Sequence, residues 1–186
     1  MINKLLVVLF LLVTVVLVII SRHSIFKPRS HGFFRFFAWE FIAALLFVNL
    51  RAWFVEPFSW HQIISWVLLC ASLVPLAFGV PVLVERGRAA KKREGEPQLL
   101  AFEKTTKLVS TGIYGLIRHP MYSSLLLLAW GIFLKSIAWT TAGLTVLATF
   151  SLFFTAKADE AECLRFFGDE YRAYMKRTKR FLPFLF

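Results

Sequence analysis

The chain has 186 residues, of which 58% are apolar, 17% aromatic and only 18% charged. An average soluble domain has roughly 45–50% apolar and about 25% charged residues, and it still needs a polar outer surface. The 21 phenylalanines and 6 tryptophans leave too little polar material for such a surface. The composition therefore excludes an ordinary soluble domain and predicts a protein that lies in a lipid bilayer.

The charge of the chain is strongly basic, with 22 Lys and Arg against 11 Asp and Glu and a formal net charge of +11. In a more polar chain this excess would suggest nucleic-acid binding. Here the basic residues flank apolar runs, so we expect anionic lipid headgroups as partners and no nucleic acid. Cys70 and Cys163 lie in different surroundings and outside any metal-binding spacing, so we expect neither a disulfide nor a metal site.

The first part of the chain contains apolar runs that predict transmembrane helices. The run Leu5 to Ile20 is followed by no small-residue cleavage site and has its stronger positive charge behind it, which predicts an uncleaved first span. The second span is expected from about residue 33 to residue 54. It carries Glu40, Asn49 and Arg51, which are costly in lipid and are therefore expected to face the bundle or an interface.

The remaining spans follow from length and polarity. A third span is expected from about residue 60 to residue 84, kinked by its two prolines. The 37-residue apolar stretch after the next polar loop would form a helix of about 55 Å, against a hydrocarbon core of about 30 Å. It is therefore predicted to form a hairpin with spans near 120–134 and 138–156 and a turn at Lys135-Ser136.

The basic residues also predict the orientation. With the N-terminus outside, 19 Lys and Arg lie at the inner span ends and three at the outer ends, as the positive-inside rule requires. The predicted fold is all-α: five transmembrane helices, N-terminus out and C-terminus in, with a cytosolic helical tail. The predicted parts are three spans over 1–84, a cytosolic loop over 85–119, a transmembrane hairpin over 120–157 and an amphipathic tail over 158–186.

Polar residues that the spans do not require cluster at two places. Arg118-His119-Pro120 lies immediately before the fourth span, and Asp159-Glu160 lies immediately after the fifth. A hairpin brings its two inner ends together, so we expect these groups to converge on one pocket at the cytosolic surface of the bilayer. Convergent basic, imidazole and carboxylate groups in a pocket are the usual mark of a functional site.

Each cluster alone also has a structural interpretation. Pro120 suits the first residue of a helix, Arg118 suits an anchor at the inner surface, and the acidic residues suit a solvated helix face. Asp159 and Glu160 point about 100° apart on a helix, so only one of them should face the pocket, whereas Asp159 and Glu162 share a face.

The tail shows a helical repeat of apolar residues. Leu164, Phe167, Tyr171 and Tyr174 recur at this spacing, so we expect them to lie on the interface or to pack against the loop. Gly168 is expected to end one helix and the residue after it to cap the next.

Together these motifs resemble the isoprenylcysteine carboxyl methyltransferase family and its phospholipid methyltransferase relatives, over about residues 106–184. The resemblance is carried by Leu108-Val109-x-x-Gly112-Ile-Tyr114, Arg118-His119-Pro120-x-Tyr122, Asp159-Glu160, Phe167-Gly168-x-Glu170-Tyr171-x-x-Tyr174 and Leu182-Pro183. It implies an integral membrane methyltransferase that uses S-adenosylmethionine and no metal. No G-x-G-x-x-G fingerprint of the soluble dinucleotide-binding type is present.

The resemblance also implies which residues form the site. The expected cofactor-binding residues are Thr106, Lys107, Leu108, Val109, Tyr114, His119, Pro120, Met121, Tyr122 and Asp159, which stands where relatives have Glu. The candidate catalytic residues are Arg118, His119 and Glu160. In this reading Asp159 takes the cofactor ammonium, His119 takes the ribose or carboxylate, and Tyr114 or Tyr122 packs on the adenine.

The acceptor is expected to be an amphiphile that enters from the membrane. In the prenylcysteine enzymes an arginine four residues before the cofactor-binding acid holds the substrate carboxylate, and here that position is Thr155. We therefore expect an amine or thiol acceptor, unless Arg118 or Arg51 replaces the missing arginine. By resemblance the activity is isoprenylcysteine carboxyl methyltransferase-like. The alternatives to it are a phospholipid amine or thiol methyltransferase and a non-catalytic membrane scaffold. The expected location is the cytoplasmic membrane of a prokaryote or the endoplasmic reticulum of a eukaryote.

Overall fold

The computed structural model describes residues 4–87 and 105–183, and these residues are mostly helical. The helices are α1 (Lys4–Ile25), α2 (His31–Asn49), α3 (Trp60–Gly87), α4 (Pro120–Phe133), α5 (Trp139–Phe167) and α6 (Asp169–Arg177), with short 3-10 turns at Leu50–Ala52 and Gly112–Gly115. The all-α prediction is confirmed.

Four of the described helices, α1, α2, α3 and α5, are long and apolar enough to cross a membrane. The fourth helix of the chain, α4, is apolar but has only 14 residues, a length of about 21 Å against a hydrocarbon core of about 30 Å. The predicted fourth span is therefore a short helix, which pairs with the longer α5 in the hairpin.

The buried positions of the helices include many polar side chains and their outer surface is apolar, unlike the surface of a soluble bundle. Their buried positions include many small polar side chains, among them Ser65, Ser72, Thr141, Thr145 and Thr155, whereas most of the Leu, Val and Ile of α1 are exposed. Membrane helices associate through small and hydroxyl-bearing residues because lipid already solvates their apolar faces. The surface pattern thus supports a bilayer environment.

The helices pack in a spatial order that differs from their order in the chain. Helix α1 contacts α2, α2 contacts α5, α5 contacts α4, and α4 contacts α3. The buried core between α2, α4 and α5 includes Ala38, Leu45, Ala129, Ile132 and Leu152. The hairpin therefore lies at the centre of the bundle, and α1 lies at its edge.

Close packing joins α3 to α4. A Cβ atom on Gly131 would lie 2.9 Å from Leu69 Cδ2, so the absent side chain lets the two backbones approach. Ser65 Oγ donates to the Gly131 carbonyl at 2.7 Å, and Ser124 Oγ donates to the Ser72 carbonyl at 2.6 Å. These hydroxyl bonds fix the first helix of the hairpin against α3.

Polar residues inside the spans join helices, as expected for Glu40. Its Oε2 accepts a hydrogen bond of 3.0 Å from the Thr14 hydroxyl, which ties α1 to α2. The hairpin turn lies at the predicted Lys135, whose Nζ donates to Gln62 Oε1 at 3.0 Å and lies 3.6 Å from the centre of the Trp66 ring. The buried ammonium at the turn is thus satisfied by an amide and an aromatic face.

Two helices extend beyond their predicted spans. Helix α3 continues to Gly87, so residues 85–87 at the start of the predicted loop are helical, while residues 88–104 lie outside the described part of the chain. Helix α5 continues to Phe167 rather than ending at Ala156. Charged residues are unfavourable in lipid but are good helix formers, so the change in polarity after Ala156 indicates where the hydrocarbon core ends and not where the helix ends.

The end of α5 is set by Gly168, as predicted. Gly168 has a φ of +59°, a left-handed conformation that glycine adopts without steric cost. It is also the residue that caps α6, whose first helical residue is Asp169. The expected capping role of Asp169 is therefore wrong by one position.

The predicted orientation can be tested by labelling in intact cells. Cys70 and Cys163 are first replaced by serine, because neither forms a disulfide within the described residues. We expect a membrane-impermeant reagent to label a cysteine placed at Trp60 or Ser136 and not one placed at Gly95, since the outer ends carry three basic residues against 19 at the inner ends. Labelling at Gly95 in unbroken cells would contradict the orientation.

Candidate functional site

The two ends of the hairpin that lie away from its turn meet, as the sequence predicts. Arg118 Nε donates to Glu160 Oε1 at 2.9 Å, and His119 Nδ1 lies 3.4 Å from Asp159 Oδ2. These contacts join the residues before α4 to the last third of α5, so both polar clusters belong to one site.

The segment after α6 holds the Arg118-His119 backbone in place. The amide of Arg118 donates to the Lys179 carbonyl at 2.8 Å, that of His119 to the Arg180 carbonyl at 3.1 Å, and that of Lys179 to the Leu116 carbonyl at 3.1 Å. The two segments therefore run parallel, like a short pair of strands. The backbone before α4 is thereby ordered, and Arg180 is brought to the site.

Glu160 is the centre of a buried ion-pair network. Arg180 makes a bidentate pair with it, with Nε 3.0 Å from Oε1 and Nη2 2.8 Å from Oε2. Arg118 binds the same carboxylate and also donates to the carbonyl groups of Met175 and Thr178. Because Glu160 is only 4% exposed and both guanidinium groups converge on it, its carboxylate joins α5 to the loop and to the C-terminal segment.

His119 bridges the two acidic residues of α5. Its Nε2 lies 3.3 Å from Glu160 Oε1, and its ring stacks on Tyr122 with 5.3 Å between the ring centres. Burial alone would lower the pKa of His119, but the hydrogen bonds to Asp159 and Glu160 outweigh burial and raise it above its ordinary value. His119 therefore keeps its proton to a higher pH than a free imidazole.

Asp159 is partly exposed, unlike its buried neighbour Glu160. Its side chain is 27% exposed, and its carboxylate lies 3.5 Å from the Tyr122 hydroxyl and 3.6 Å from Cys163 Sγ. The prediction that only one of the two adjacent acids faces the pocket agrees with this arrangement, since a rotation of about 100° separates them.

A cleft lies beside Asp159, with a space of about 800 Å³ that includes its open mouth. The cleft is lined by Leu83, Thr105, Leu108, Val109, Tyr114, Arg118, His119, Pro120, Met121, Tyr122, Asp159, Glu162, Cys163, Phe167, Tyr171 and Tyr174. Its wall is thus aromatic and apolar, with carboxylates on the α5 side.

Most of the residues expected to bind the cofactor line this cleft. They are Leu108, Val109, Tyr114, His119, Pro120, Met121, Tyr122 and Asp159. Thr106 and Lys107 do not line it, and their backbone amides instead donate to the carbonyl of Gly87 at the end of α3, at 3.0 and 3.4 Å. Of the candidate catalytic residues, Arg118 and His119 line the cleft and Glu160 does not.

Other lining residues were not assigned to the site from the sequence. Cys163 and Phe167 follow Asp159 at intervals of four residues on α5, a helical stripe that could have placed them beside it. The cleft is also lined by Leu83 and Thr105. In the sequence, these residues precede and follow residues 88–104. No motif marked these two positions.

The tail packs on the loop, as the helical repeat predicts. Tyr171 and Tyr174 are 4% and 3% exposed, and the Tyr174 hydroxyl donates to the Tyr114 carbonyl at 2.7 Å. Burial raises the pKa of both phenols, so they stay neutral. Helix α6 therefore closes the cleft with uncharged aromatic rings.

The chemistry of the cleft fits S-adenosylmethionine. The cofactor combines a sulfonium, an ammonium, a carboxylate and a flat adenine, and the cleft offers carboxylates, a bridging imidazole and aromatic rings. Asp159 is the exposed carboxylate that a cationic group can reach. Within residues 4–87 and 105–183, no group of three or more His, Cys, Asp or Glu side chains is placed to hold a metal ion.

Comparison with known proteins matches one segment of the chain to a family. Residues 96–170 match the family described as phospholipid methyltransferase. No curated protein and no solved structure matches the chain. The matched segment contains the described loop residues, the hairpin, the acidic residues of α5 and the start of α6. The match confirms the resemblance drawn from the motifs: this segment is similar to phospholipid methyltransferases, in keeping with a phospholipid and isoprenylcysteine methyltransferase-like family.

Proposed function

We propose that the protein is an integral membrane methyltransferase that binds S-adenosylmethionine in the cleft and methylates an amphiphilic acceptor from the bilayer. The observation that carries the proposal is the convergence of both polar ends of the hairpin on one cleft, with Asp159 exposed in its wall. The convergent residues lie within the segment that matches the phospholipid methyltransferase family. The cleft lies at the end of apolar helices, where a membrane-dissolved acceptor can approach.

Each part of the cofactor has a suitable partner in the cleft. Asp159 can receive the ammonium in a charge-assisted hydrogen bond. When Asp159 turns to the ammonium, His119 Nδ1 is released to donate to the ribose or carboxylate, while Nε2 stays with Glu160. Tyr114 and Tyr122 offer aromatic faces for the adenine. In this proposal the network around Glu160 is a support that holds Arg118 and His119 in position.

The bound cofactor would supply an electrophilic methyl group on a positively charged sulfur. The protein's own contribution to such a displacement is to align the nucleophile and to exclude water. The buried rings of Tyr171 and Tyr174 close one side of the cleft against water. The ordered backbone at Arg118 and His119 keeps the opposite wall in place.

The absence of an arginine at Thr155 favours an acceptor without a carboxylate. Thr155 is 0% exposed, and its hydroxyl donates to the Ser151 carbonyl at 2.7 Å, so it turns back on its own helix. Arg118 is engaged with Glu160, and Arg51 lines a separate cavity with Lys135 at the other end of the bundle. Neither candidate replacement is placed to hold a substrate carboxylate, which supports an amine or thiol acceptor.

This preference can be measured with paired acceptors in the unmodified protein. A carboxylate buried without a partner costs several kcal/mol, so we expect kcat/KM for a prenylcysteine analogue to be at least about 100-fold lower than for an amine or thiol amphiphile of similar chain length. The Thr155→Arg variant should gain activity on the prenylcysteine analogue if it folds. Equal rates on both acceptor classes in the unmodified protein would refute the preference.

The proposed activity is tested directly by titrating purified protein in detergent with S-adenosylmethionine. We expect saturable binding, followed by formation of S-adenosylhomocysteine when an amine amphiphile is added. The Glu170→Ala variant is the control, because it removes an exposed acidic residue of the tail and leaves the cleft intact. Failure of the unmodified protein to bind the cofactor would overturn the proposal in favour of a non-catalytic membrane scaffold.

A further inference from the structure

The cleft has a second acidic wall residue, Glu162, which the proposed cofactor site does not use. Glu162 lies on α5 one turn after Asp159 and on the same face of the helix. It lines the cleft although the residue is only 6% exposed. Unlike Glu160, it takes no part in the arginine network described above.

Glu162 is held by a residue far away in the sequence. The backbone amide of His31 donates to Glu162 Oε1 at 3.0 Å, and His31 Nδ1 lies 2.6 Å from Oε2. His31 is 1% exposed and is the first residue of α2. Both carboxylate oxygens therefore contact one residue, which restricts the rotation of the side chain and fixes its position in the wall.

The contact orients the carboxylate and leaves part of its acceptor capacity unused. An ionised carboxylate has about four lone-pair positions, and the two contacts with His31 involve one on each oxygen. The amide at the start of α2 also adds the favourable dipole of a helix N-terminus. A buried carboxylate supported in this way stays available to a cation in the cleft. Asp159 and Glu162 then form two negative positions along one wall.

We infer that Glu162 binds the acceptor amine in its protonated form, before methyl transfer, and that His31 is the residue that positions it. The ammonium must lose one proton, which the Glu162 carboxylate can accept, before its nitrogen lone pair is free to take the methyl group. The inference rests on the proposed function, in which Asp159 takes the cofactor ammonium. Glu162 lies beyond the apolar part of α5, beside the start of α2, which is the level of the lipid headgroups. A protonated amine headgroup at this level meets a carboxylate, a neutral headgroup gains little from it, and a carboxylate headgroup is repelled.

The test measures acceptor binding rather than turnover. Purified protein saturated with S-adenosylhomocysteine in a non-ionic detergent is titrated with decylamine and, separately, with decanol of the same chain length. Since a charge-assisted hydrogen bond is lost, we expect Glu162→Gln to weaken decylamine binding about 10- to 150-fold. Decanol binding and S-adenosylhomocysteine binding should each change less than about twofold, because neither depends on the charge.

Variants of His31 separate positioning from simple packing. His31→Asn keeps a donor near the position of Nδ1 and should retain most of the decylamine affinity, whereas His31→Leu should lose it. Glu170→Gln removes an exposed acid from α6 and is the matched charge control. Thermal unfolding of each variant shows whether its fold is intact.

The outcomes distinguish this inference from the proposed function. If Glu162→Gln weakens decylamine and decanol equally, or if His31→Leu leaves decylamine binding unchanged in a folded protein, the inference is wrong although the methyltransferase proposal stands. If the unmodified protein binds decylamine through Glu162 but does not bind S-adenosylhomocysteine, the inferred amine site stands and the proposed cofactor site is wrong.

Discussion

Glu160→Ala is expected to destabilise the protein by about 3–5 kcal/mol, because it leaves two guanidinium groups in a buried position without their shared anion. The Arg118 and Arg180 side chains are 8% and 19% exposed, and both make their ion pair with this carboxylate. The same variant removes the carboxylate that joins α5 to Arg118 and to the C-terminal segment. The loss should appear as a lower midpoint of thermal or denaturant-induced unfolding in detergent micelles.

A double variant separates the cost of unpaired charge from the value of the pair. Removing Arg180 together with Glu160 leaves one buried cation fewer, so Glu160→Ala/Arg180→Ala should lose less stability than the sum of the two single variants. Asp169→Ala is the control, since the Asp169–Arg172 pair is largely exposed and such pairs contribute about 0–1 kcal/mol. A Glu160→Ala protein as stable as the control would show that the network does not stabilise the fold.

The helices could be predicted from the sequence because lipid imposes a simple length and polarity requirement. The apolar run from Leu5 to Ile20 and the hairpin turn at Lys135 both lie where polarity predicts them. Helix ends could be predicted only where they coincide with the edge of the hydrocarbon or with a residue such as Gly168. The continuation of α5 beyond the hydrocarbon to Phe167 could be predicted only from Gly168, since the charged residues after Ala156 favour helix as much as they disfavour lipid.

The convergence of the site could be predicted because it follows from connectivity. Two adjacent helices joined by a short turn must bring their far ends together, so the meeting of Arg118 with Glu160 required no knowledge of side-chain packing. Asp159 and Glu162 were expected on one face of α5, because a helix brings residues three positions apart to the same side. Helical geometry alone left open which of Asp159 and Glu160 would be exposed, because packing of the C-terminal segment decides it.

The long-range partners could not be predicted. Arg180 reaches Glu160 because the last segment runs beside residues 116–119. A few backbone hydrogen bonds form this pairing, and no sequence pattern predicts it. His31 reaches Glu162 because α2 packs on α5, an order of helices that no local pattern encodes. These two contacts depend on the tertiary arrangement. They hold Glu160 and Glu162, the two acidic residues that follow Asp159 on α5, in place.

The cofactor proposal makes its sharpest prediction at Asp159. Its carboxylate is the exposed acid of the cleft, so Asp159→Ala removes the expected partner of the cofactor ammonium. Loss of one charge-assisted hydrogen bond corresponds to about 1.5–3 kcal/mol, or about 10- to 150-fold in affinity. Asp159→Asn keeps the shape of the side chain and a hydrogen-bond acceptor but removes the charge, so it should retain part of the affinity.

His119→Ala is expected to weaken S-adenosylmethionine binding by a similar factor, since it removes both a donor in the cleft wall and the ring that bridges Asp159 to Glu160. The two effects should not add in the Asp159→Ala/His119→Ala protein, because the side chains are in contact and share the site. Glu170→Ala, on the exposed side of α6, should leave the affinity within about twofold. Titration in detergent, with unfolding midpoints measured on the same samples, decides the matter: unchanged affinity in both single variants would show that the cofactor does not bind between these residues.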